Sequence, residues 1–265
     1  MNPFTVLPED CISEIISLTT PADAIRSSII SRGFKSAAES DIVWNQFLPS
    51  DHQHIVSRSV SPVIFDSKKD LYFRLCESPI LLDGGGLSFW LDKIEGKKCY
   101  LLSARQLTIS FSDMKLFWEH TSDVDSRFSE IAFLNNVDLL DIRGKIGTHE
   151  LSSRTNYAAY LVFKVSERYH GLESTNAMVR FVNEESEDKA EERTTTVILA
   201  ARAPRNLKGR LPEKRTDGWL EVEIGRFYNG ESGVDNGDVE ARLLDSRPFH
   251  AKCGLIIEGI EFRPI

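Results

Sequence analysis

The hydrophobic pattern changes period along this chain, and that change limits the fold more than any other feature. Through the first fifty residues apolar side chains recur at helical spacing. Ile12, Ile15 and Ile16 mark one helix; Ala24, Ile25 and Ile29 mark a second; Phe34, Ala37 and Ala38 mark a third, followed by a last turn with Ile42, Val43, Trp44, Phe47 and Leu48. Pro8 suits a first helical turn, where its missing N–H costs nothing, and Glu9 and Asp10 favour the positive end of the helix dipole. Thr20-Pro21 closes the first helix and opens the second, which Gly33 is expected to break. Three helices this short bury little surface by themselves, so the module is expected to need a partner for its remaining apolar face.

Beyond residue 96 the period falls to that of strands. Extended segments are expected near 99–103, 107–111, 128–134, 139–143, 157–165, 178–182, 194–200, 219–224, 239–244 and 254–262. Many short strands with turn-rich connections predict a sandwich or barrel. Between the two halves, 49–62 reads as a polar linker, 67–76 as a helix carrying Leu71 and Leu75, and 80–91 as a hairpin around Asp83-Gly84-Gly85-Gly86. The expected organisation is therefore residues 1–50, a connector over 51–95, and an all-β domain over 96–265. Two surface loops are expected, an acidic one over Asn183 to Arg193 and a basic one over Arg202 to Arg215.

Composition narrows the function classes. A net charge of −8 disfavours nonspecific nucleic-acid or anionic-membrane binding. No apolar run approaches the roughly 18 residues of a membrane span, and the N-terminus has no basic region followed by an apolar core, so no signal peptide is expected. Cys11, Cys76, Cys99 and Cys253 show no metal-binding spacing and read as reduced thiols of a protein of the cytoplasm and nucleus. Asp83-Gly84-Gly85-Gly86 lacks the Gly-Lys-Ser/Thr of a phosphate loop, no Gly-x-Ser-x-Gly elbow occurs, and His52 and His54 read as solvated linker histidines without cysteine partners. No catalysis, cofactor or metal is expected.

Two stretches resemble known families. Leu7-Pro8-Glu9-Asp10-Cys11-Ile12-Ser13-Glu14-Ile15-Ile16-Ser17-Leu18, with Pro21-x-Asp23-Ala24, Phe34 and Asp41-x-Val43-Trp44, resembles an F-box, departing from many members in Phe34 where they carry tryptophan. The rest resembles the phloem-lectin (Nictaba-like) domain of plant F-box proteins. That likeness is carried by Ser88-Phe89-Trp90-Leu91, Leu102-Ser103-Ala104-Arg105, Asp217-Gly218-Trp219-Leu220-Glu221-Val222-Glu223-Ile224-Gly225 and Gly254-Leu255-Ile256-Ile257-Glu258-Gly259-Ile260-Glu261-Phe262-Arg263-Pro264. The resemblance implies a small all-α three-helix F-box module, a short helical connector and a jelly-roll-like β-sandwich. It further implies the substrate receptor of a ubiquitin ligase: the F-box docks on a Skp-type adaptor carried by a cullin with a RING subunit, and the sandwich selects the target protein.

Each half then has candidate contacts. For the adaptor they are Leu7, Pro8, Ile12, Ile15, Ile16, Leu18, Ile29 and Trp44, of which about half are expected to pack the helices together instead. For an N-acetylglucosamine-containing glycan, the resemblance points to Phe111, Trp118 and His120; carbohydrate-binding relatives carry tryptophan at the first two and often at the third. In the alternating run 219–224, Trp219, Glu221 and Glu223 share one strand face and form a second candidate contact, or else a solvated face with Trp219 covering an edge. Two other readings stay open: a sandwich that recognises protein rather than glycan, and a stand-alone lectin.

Overall fold

The structure, a computed structural model, describes residues 7–200, 208–231, 237–247 and 249–265. The chain divides into two compact units: Met1–Gly84 with Phe89–Cys99, and Gly85–Ser88 with Tyr100–Ile265.

The first unit is helical. Its elements are α1 (Glu9–Ser17), α2 (Pro21–Ser27), α3 (Arg32–Glu39), α4 (Asp41–Phe47), α5 (His52–Ser57) and α6 (Lys68–Glu77), followed by strand β1 (Ile80–Leu82). Hydroxyls placed before the helices end the chain's wandering at defined points. Thr20, Ser31, Ser40 and Ser67 each accept a hydrogen bond from a backbone N–H in the first turn that follows. The break after α2 comes not at Gly33 but at 28–30, where the helix tightens into Ile29 N–H to Arg26 and Ile30 N–H to Ser27 carbonyl bonds. Gly33 lies inside α3, because the Ser31 cap fixes the new helix start ahead of it. The expected final turn is a helix in its own right, so four short helices replace the expected three.

The stretch read as a polar linker is also structured. It folds into α5, with Ile55 fully buried and His52 buried rather than solvated. A His52 ring protonated on Nδ1 donates to the Pro49 carbonyl at 2.8 Å, and its Nε2 lies 2.8 Å from the Lys68 ammonium. Lys98 reaches Asp51 at 3.0 Å, so the loop before α5 is held by an ion pair as well.

Trp44 is the centre of this unit. It is fully buried, its ring lies 5.2–5.6 Å from those of Phe47, Tyr72 and Phe73, and its indole N–H donates to the Ala38 carbonyl at 2.7 Å. The indole therefore ties α4 to the end of α3 and to α6, and satisfies its single polar atom while doing so.

The second unit is a sandwich of two antiparallel sheets. The larger runs β3-β14-β8-β12-β11, from strands β3 (Lys98–Ser103), β14 (Cys253–Pro264), β8 (Thr155–His170), β12 (Leu220–Asn229) and β11 (Glu213–Lys214). On the same sheet β6 (Ile131–Leu134) pairs with β14, and β5 (Trp118–Thr121) pairs with β6. The smaller runs β10-β9-β13-β7-β4, from β10 (Thr195–Val197), β9 (Thr175–Phe181), β13 (Asp238–Asp245), β7 (Leu140–Gly147) and β4 (Thr108–Ile109). Strand β2 (Leu87–Leu91) forms a hairpin with β3, and the division between the two units runs through that hairpin.

Alternation decides what lies between the sheets. Val222 and Ile224 of β12 point inward with Leu161 and Phe163 of β8, and Ile142, Ala241 and Leu243 of the smaller sheet are buried likewise. Glycine is needed where neighbours come closest: a Cβ at Gly144 would sit 3.0 Å from the Ile260 Cδ1 methyl, and one at Gly259, beside a bulge of β14, would collide with the Leu102 carbonyl oxygen. The acidic stretch after β9 is not a plain solvated loop. It forms a short helix, α7 (Glu187–Glu191), whose Glu187 and Glu191 pair with arginines of the smaller sheet. Of the expected basic loop, 202–207 lie outside the described residues.

Trp44→Ala is expected to cost about 3–5 kcal/mol in chemical denaturation, since it empties a buried ring site and strands a carbonyl. Ile15→Ala, at a half-exposed position, is expected to cost less than about 1 kcal/mol. Equal costs would remove Trp44 from the centre of the module.

Candidate functional site: an apolar helical face and a cleft beside strand β5

The helical module sorts its candidate contacts by burial. Ile12, Ile16 and Trp44 are buried and serve the module's own core, so they are withdrawn as direct adaptor contacts. The helical period explains the split: Ile12 and Ile16, four apart, face α3 and α4, while Ile15 is turned away. Leu7, Pro8, Ile15, Leu18 and Ile29 remain exposed, Leu18 at 85% and Ile29 at 87%. Ile25, Ile30 and Ile42 join them, three exposed isoleucines that were not among the expected adaptor contacts. Ile25 and Ile29 are four residues apart, and the buried Ala24 marks the opposite side of α2. These exposed side chains are large and apolar, and exposed apolar surface of that kind is what a docking contact would draw on.

The second unit holds a cleft of about 730 Å³. One wall comes from the turn after β3, with Ala104, Arg105 and Leu107; another from the turn between β4 and β5, with Ser112, Asp113 and Lys115; the third is β5 itself, with Trp118, Glu119 and His120. Six of these nine side chains are polar or charged. Hydrogen bonds fix the middle wall: Met114 N–H donates to the Phe111 carbonyl at 3.0 Å, Trp118 N–H to the Met114 carbonyl at 3.0 Å, and the Asn135 side-chain amide to the Lys115 carbonyl at 3.1 Å. Arg105 is anchored by Glu130 at 3.1 Å. Phe111 adopts a left-handed backbone, φ 64°, which a bulky side chain rarely takes, and its ring is exposed against Phe117 at 5.4 Å. Strain of this kind is retained where surrounding structure demands it, and here it holds an aromatic ring on the surface next to the cleft-lining Ser112.

Trp118 and Trp219 differ from expectation. Trp118 lines the cleft, yet it is only 1% exposed and its indole N–H donates to the Ser110 carbonyl at 3.1 Å; it braces the wall and offers no open ring face for stacking. Phe111 and His120 are exposed, and His120 lines the cleft. Trp219 is also 1% exposed, precedes β12, donates to the Asp125 carbonyl at 3.1 Å and lies under the Lys164 ammonium at 4.4 Å. It is not an exposed contact. Glu221 is bound by Arg263 and by Arg215 at 2.7 Å; burial pushes its carboxyl up, but those guanidinium groups outweigh it and hold its pKa below the ordinary range. Glu223 is held low chiefly by Arg226 at 2.8 Å, with Arg210 adding its charge. The three residues are therefore consumed internally and leave the candidate site. What the sequence did not single out is Arg105, Asp113, Lys115 and Glu119, ordinary surface charges by type, which only the turn geometry gathers around His120.

No cluster of His, Cys, Asp or Glu able to hold a metal occurs among the described residues, and none of their helices is long and apolar enough to cross a membrane. Comparison with known proteins agrees with the two-part build. Residues 97–264 match the family Phloem protein 2, and residues 4–46 match the F-box domain. F-box protein PP2-B10 of Arabidopsis thaliana is 40% identical over 99% of this chain and 94% of its own length. F-box protein PP2-B15 of the same plant is 41% identical over 98% and 96%, and F-box protein PP2-B1 is 37% identical over 98% and 90%. Among solved structures, a Podospora anserina GH26-CBM35 β-(1,4)-mannanase aligns with 63% of this chain and 28% of its own at TM-score 0.37 and 10% identity, too distant to carry an argument. With an F-box fold at one end, a phloem protein 2 sandwich at the other, and relatives that share both along nearly their whole lengths, the chain belongs to the F-box proteins of the phloem protein 2 family.

Proposed function

We propose that this protein is the substrate receptor of a Skp-cullin-F-box ubiquitin ligase, with the helical module bound to the Skp-type adaptor and the β-sandwich holding the target. The observation that carries the first half is the set of exposed side chains Leu7, Ile15, Leu18, Ile25, Ile29, Ile30 and Ile42, on a module too small to leave them to water. Burying a Leu or Ile gives roughly 1.5–3 kcal/mol, so a few of them supply most of the stabilisation of such a contact. The chain itself catalyses nothing in this reading; ubiquitin transfer belongs to other subunits. Its place is the cytoplasm and nucleus, a reading supported by the wide spacing of Cys11, Cys76, Cys99 and Cys253 along the chain.

The target is held at the cleft beside β5, and the ligand class is an N-acetylglucosamine-containing glycan on the target protein. A volume of about 730 Å³ suits a ligand of a few sugar rings. Asp113, Glu119 and His120 offer hydrogen bonds to hydroxyls, and Phe111 supplies the exposed aromatic ring that a sugar's apolar face seeks. A second reading, protein recognition, is favoured by Met114 and Leu116, exposed on the same turn as Phe111; three apolar side chains in six residues resemble an anchor for another protein.

Leu18→Glu combined with Ile29→Glu is expected to reduce capture of a Skp-type adaptor at least ten-fold while leaving the thermal midpoint within a few degrees of the parent chain. Undiminished capture by the folded double variant would sink the docking surface. On a glycan array, the full-length chain is expected to bind N-acetylglucosamine oligomers saturably, with Asp113→Ala plus His120→Ala lowering the signal at least ten-fold. A blank array with folded protein discards the sugar ligand in favour of protein recognition.

A further inference from the structure

Three arginines on three neighbouring strands of the smaller sheet converge on one carboxylate. Arg143 of β7 and Arg242 of β13 are directly opposite one another, and Arg180 lies on β9, on the other side of β13. Two guanidinium groups facing each other across a strand pair repel unless anions intervene. The sheet supplies two such anions. Asp141 binds Arg242 at 2.8 Å and Arg143 at 2.9 Å; Glu240 binds Arg180 at 2.8 Å and Lys145 at 3.2 Å. Four cations thus share two sheet carboxylates, and the balance comes from off the sheet. Glu187 of α7 reaches Arg143 at 2.8 Å, Arg180 at 3.2 Å and Arg242 at 3.3 Å, while Glu191 reaches Arg242 at 2.8 Å. Arg180 also donates to the Glu185 carbonyl at 2.8 Å.

The two sides of this contact are unequal. Arg180 and Arg242 are 6% exposed and set in the sheet, whereas the Glu187 and Glu191 side chains are 42% and 43% exposed. The cations are built in; the anions lie on the solvent side. Helix α7 is five residues long and buries only Ala190, so ionic contacts do most of the holding. A segment with so little apolar burial belongs to the part of a structure that opens locally at small cost.

We propose that this arginine face is a binding site for a phosphorylated side chain on an acidic peptide, and that the segment 183–193 occupies it as an internal stand-in. A phosphoryl group carries about −1.5 to −2 charges and three acceptor oxygens, which matches the two charges α7 supplies and suits forked guanidinium donors. A peptide is the fitting carrier because the internal occupant is itself one, engaged through a backbone carbonyl as well as through carboxylates. Exchange between the internal and an external anion makes occupancy depend on how well the stand-in is held. The site shares no residue with the cleft beside β5, so the glycan array and the assay below succeed or fail separately.

The probe is a fluorescein-labelled peptide copying residues 183–193 with phosphoserine in place of Glu187, and fluorescence anisotropy reads its binding to the full chain. Glu187→Gln with Glu191→Gln is expected to bind it at least ten-fold more tightly than the parent, and adding Arg143→Gln removes the gain. The same peptide carrying plain serine is expected to show no saturable binding. Equal binding of the phosphoserine and serine peptides, or no gain from the double substitution in a chain shown folded by circular dichroism, overturns the proposal. The single variant Glu191→Gln, which keeps Glu187 on all three arginines, is expected to give a smaller gain of the same sign. Should the double variant fail to fold, absence of that smaller gain overturns the proposal instead.

Discussion

Strand β14 holds the larger sheet together through its ladder with β8, which runs from the Cys253–His170 pair to the Pro264–Tyr157 pair. The same strand pairs with β3 near Phe262 and with β6 near Ile257, so three strands hang on one. Strand β6 then carries β5, and β5 carries Trp118, Glu119 and His120 into the cleft. The candidate site is thus two steps of backbone pairing removed from β14, and the geometry of its third wall is inherited from that strand. Bulges near Gly254 and Gly259 let β14 bend while keeping both sets of partners, and the backbone contact at Gly259 leaves no room for any larger residue.

Buried charge is the other organising element. Lys252 is fully buried, its ammonium donating to the Asp138 carbonyl at 2.6 Å and the Asp245 carbonyl at 3.2 Å, with the Asp245 carboxylate at 3.3 Å. On the larger sheet Arg215 and Arg263 share Glu221 and Glu261. Such networks add little net stability over apolar side chains of equal volume, because desolvation offsets the attraction. Their effect is on register: a one-residue slip of β12 or β14 would leave several buried charges without partners, an error far costlier than the loss of an apolar contact.

Much of this was legible from residue pattern alone. Period and the helix-start residues Pro8 and Pro21 located the first helices, though not α5, and alternation located the main strands, including the inward side of β12. The two-residue strand β11 and the mostly exposed β5 carry too little hydrophobic signal to register. The fate of the tryptophans could not be read either. Trp44, Trp118 and Trp219 each sit where a functional aromatic was expected, yet each is buried with its indole N–H on a backbone carbonyl from another segment. A sequence states that an aromatic is present; whether its ring faces solvent depends on chain segments up to 94 residues away. The acidic stretch 183–193 misled for a related reason. Charge density predicts solvation unless opposite charge waits on a neighbouring strand, and Arg143 and Arg242 are far from it in sequence. The helical face was half legible, because amphipathic spacing identifies the apolar side chains but not which side of a small module remains uncovered.

The shared hairpin of β2 and β3 bears on where this chain can be divided. Sequence similarity to phloem protein 2 begins at residue 97, one residue before β3 and after all of β2. Severing there would remove the strand beside β3 and lay bare a row of its backbone N–H and C=O groups, the kind of open border at which molecules stick to one another. The evolutionary boundary and the physical one therefore do not coincide. A lectin-like half released at residue 97 would carry an adhesive margin of its own making, and self-association in such a fragment would report on the cut rather than on the protein.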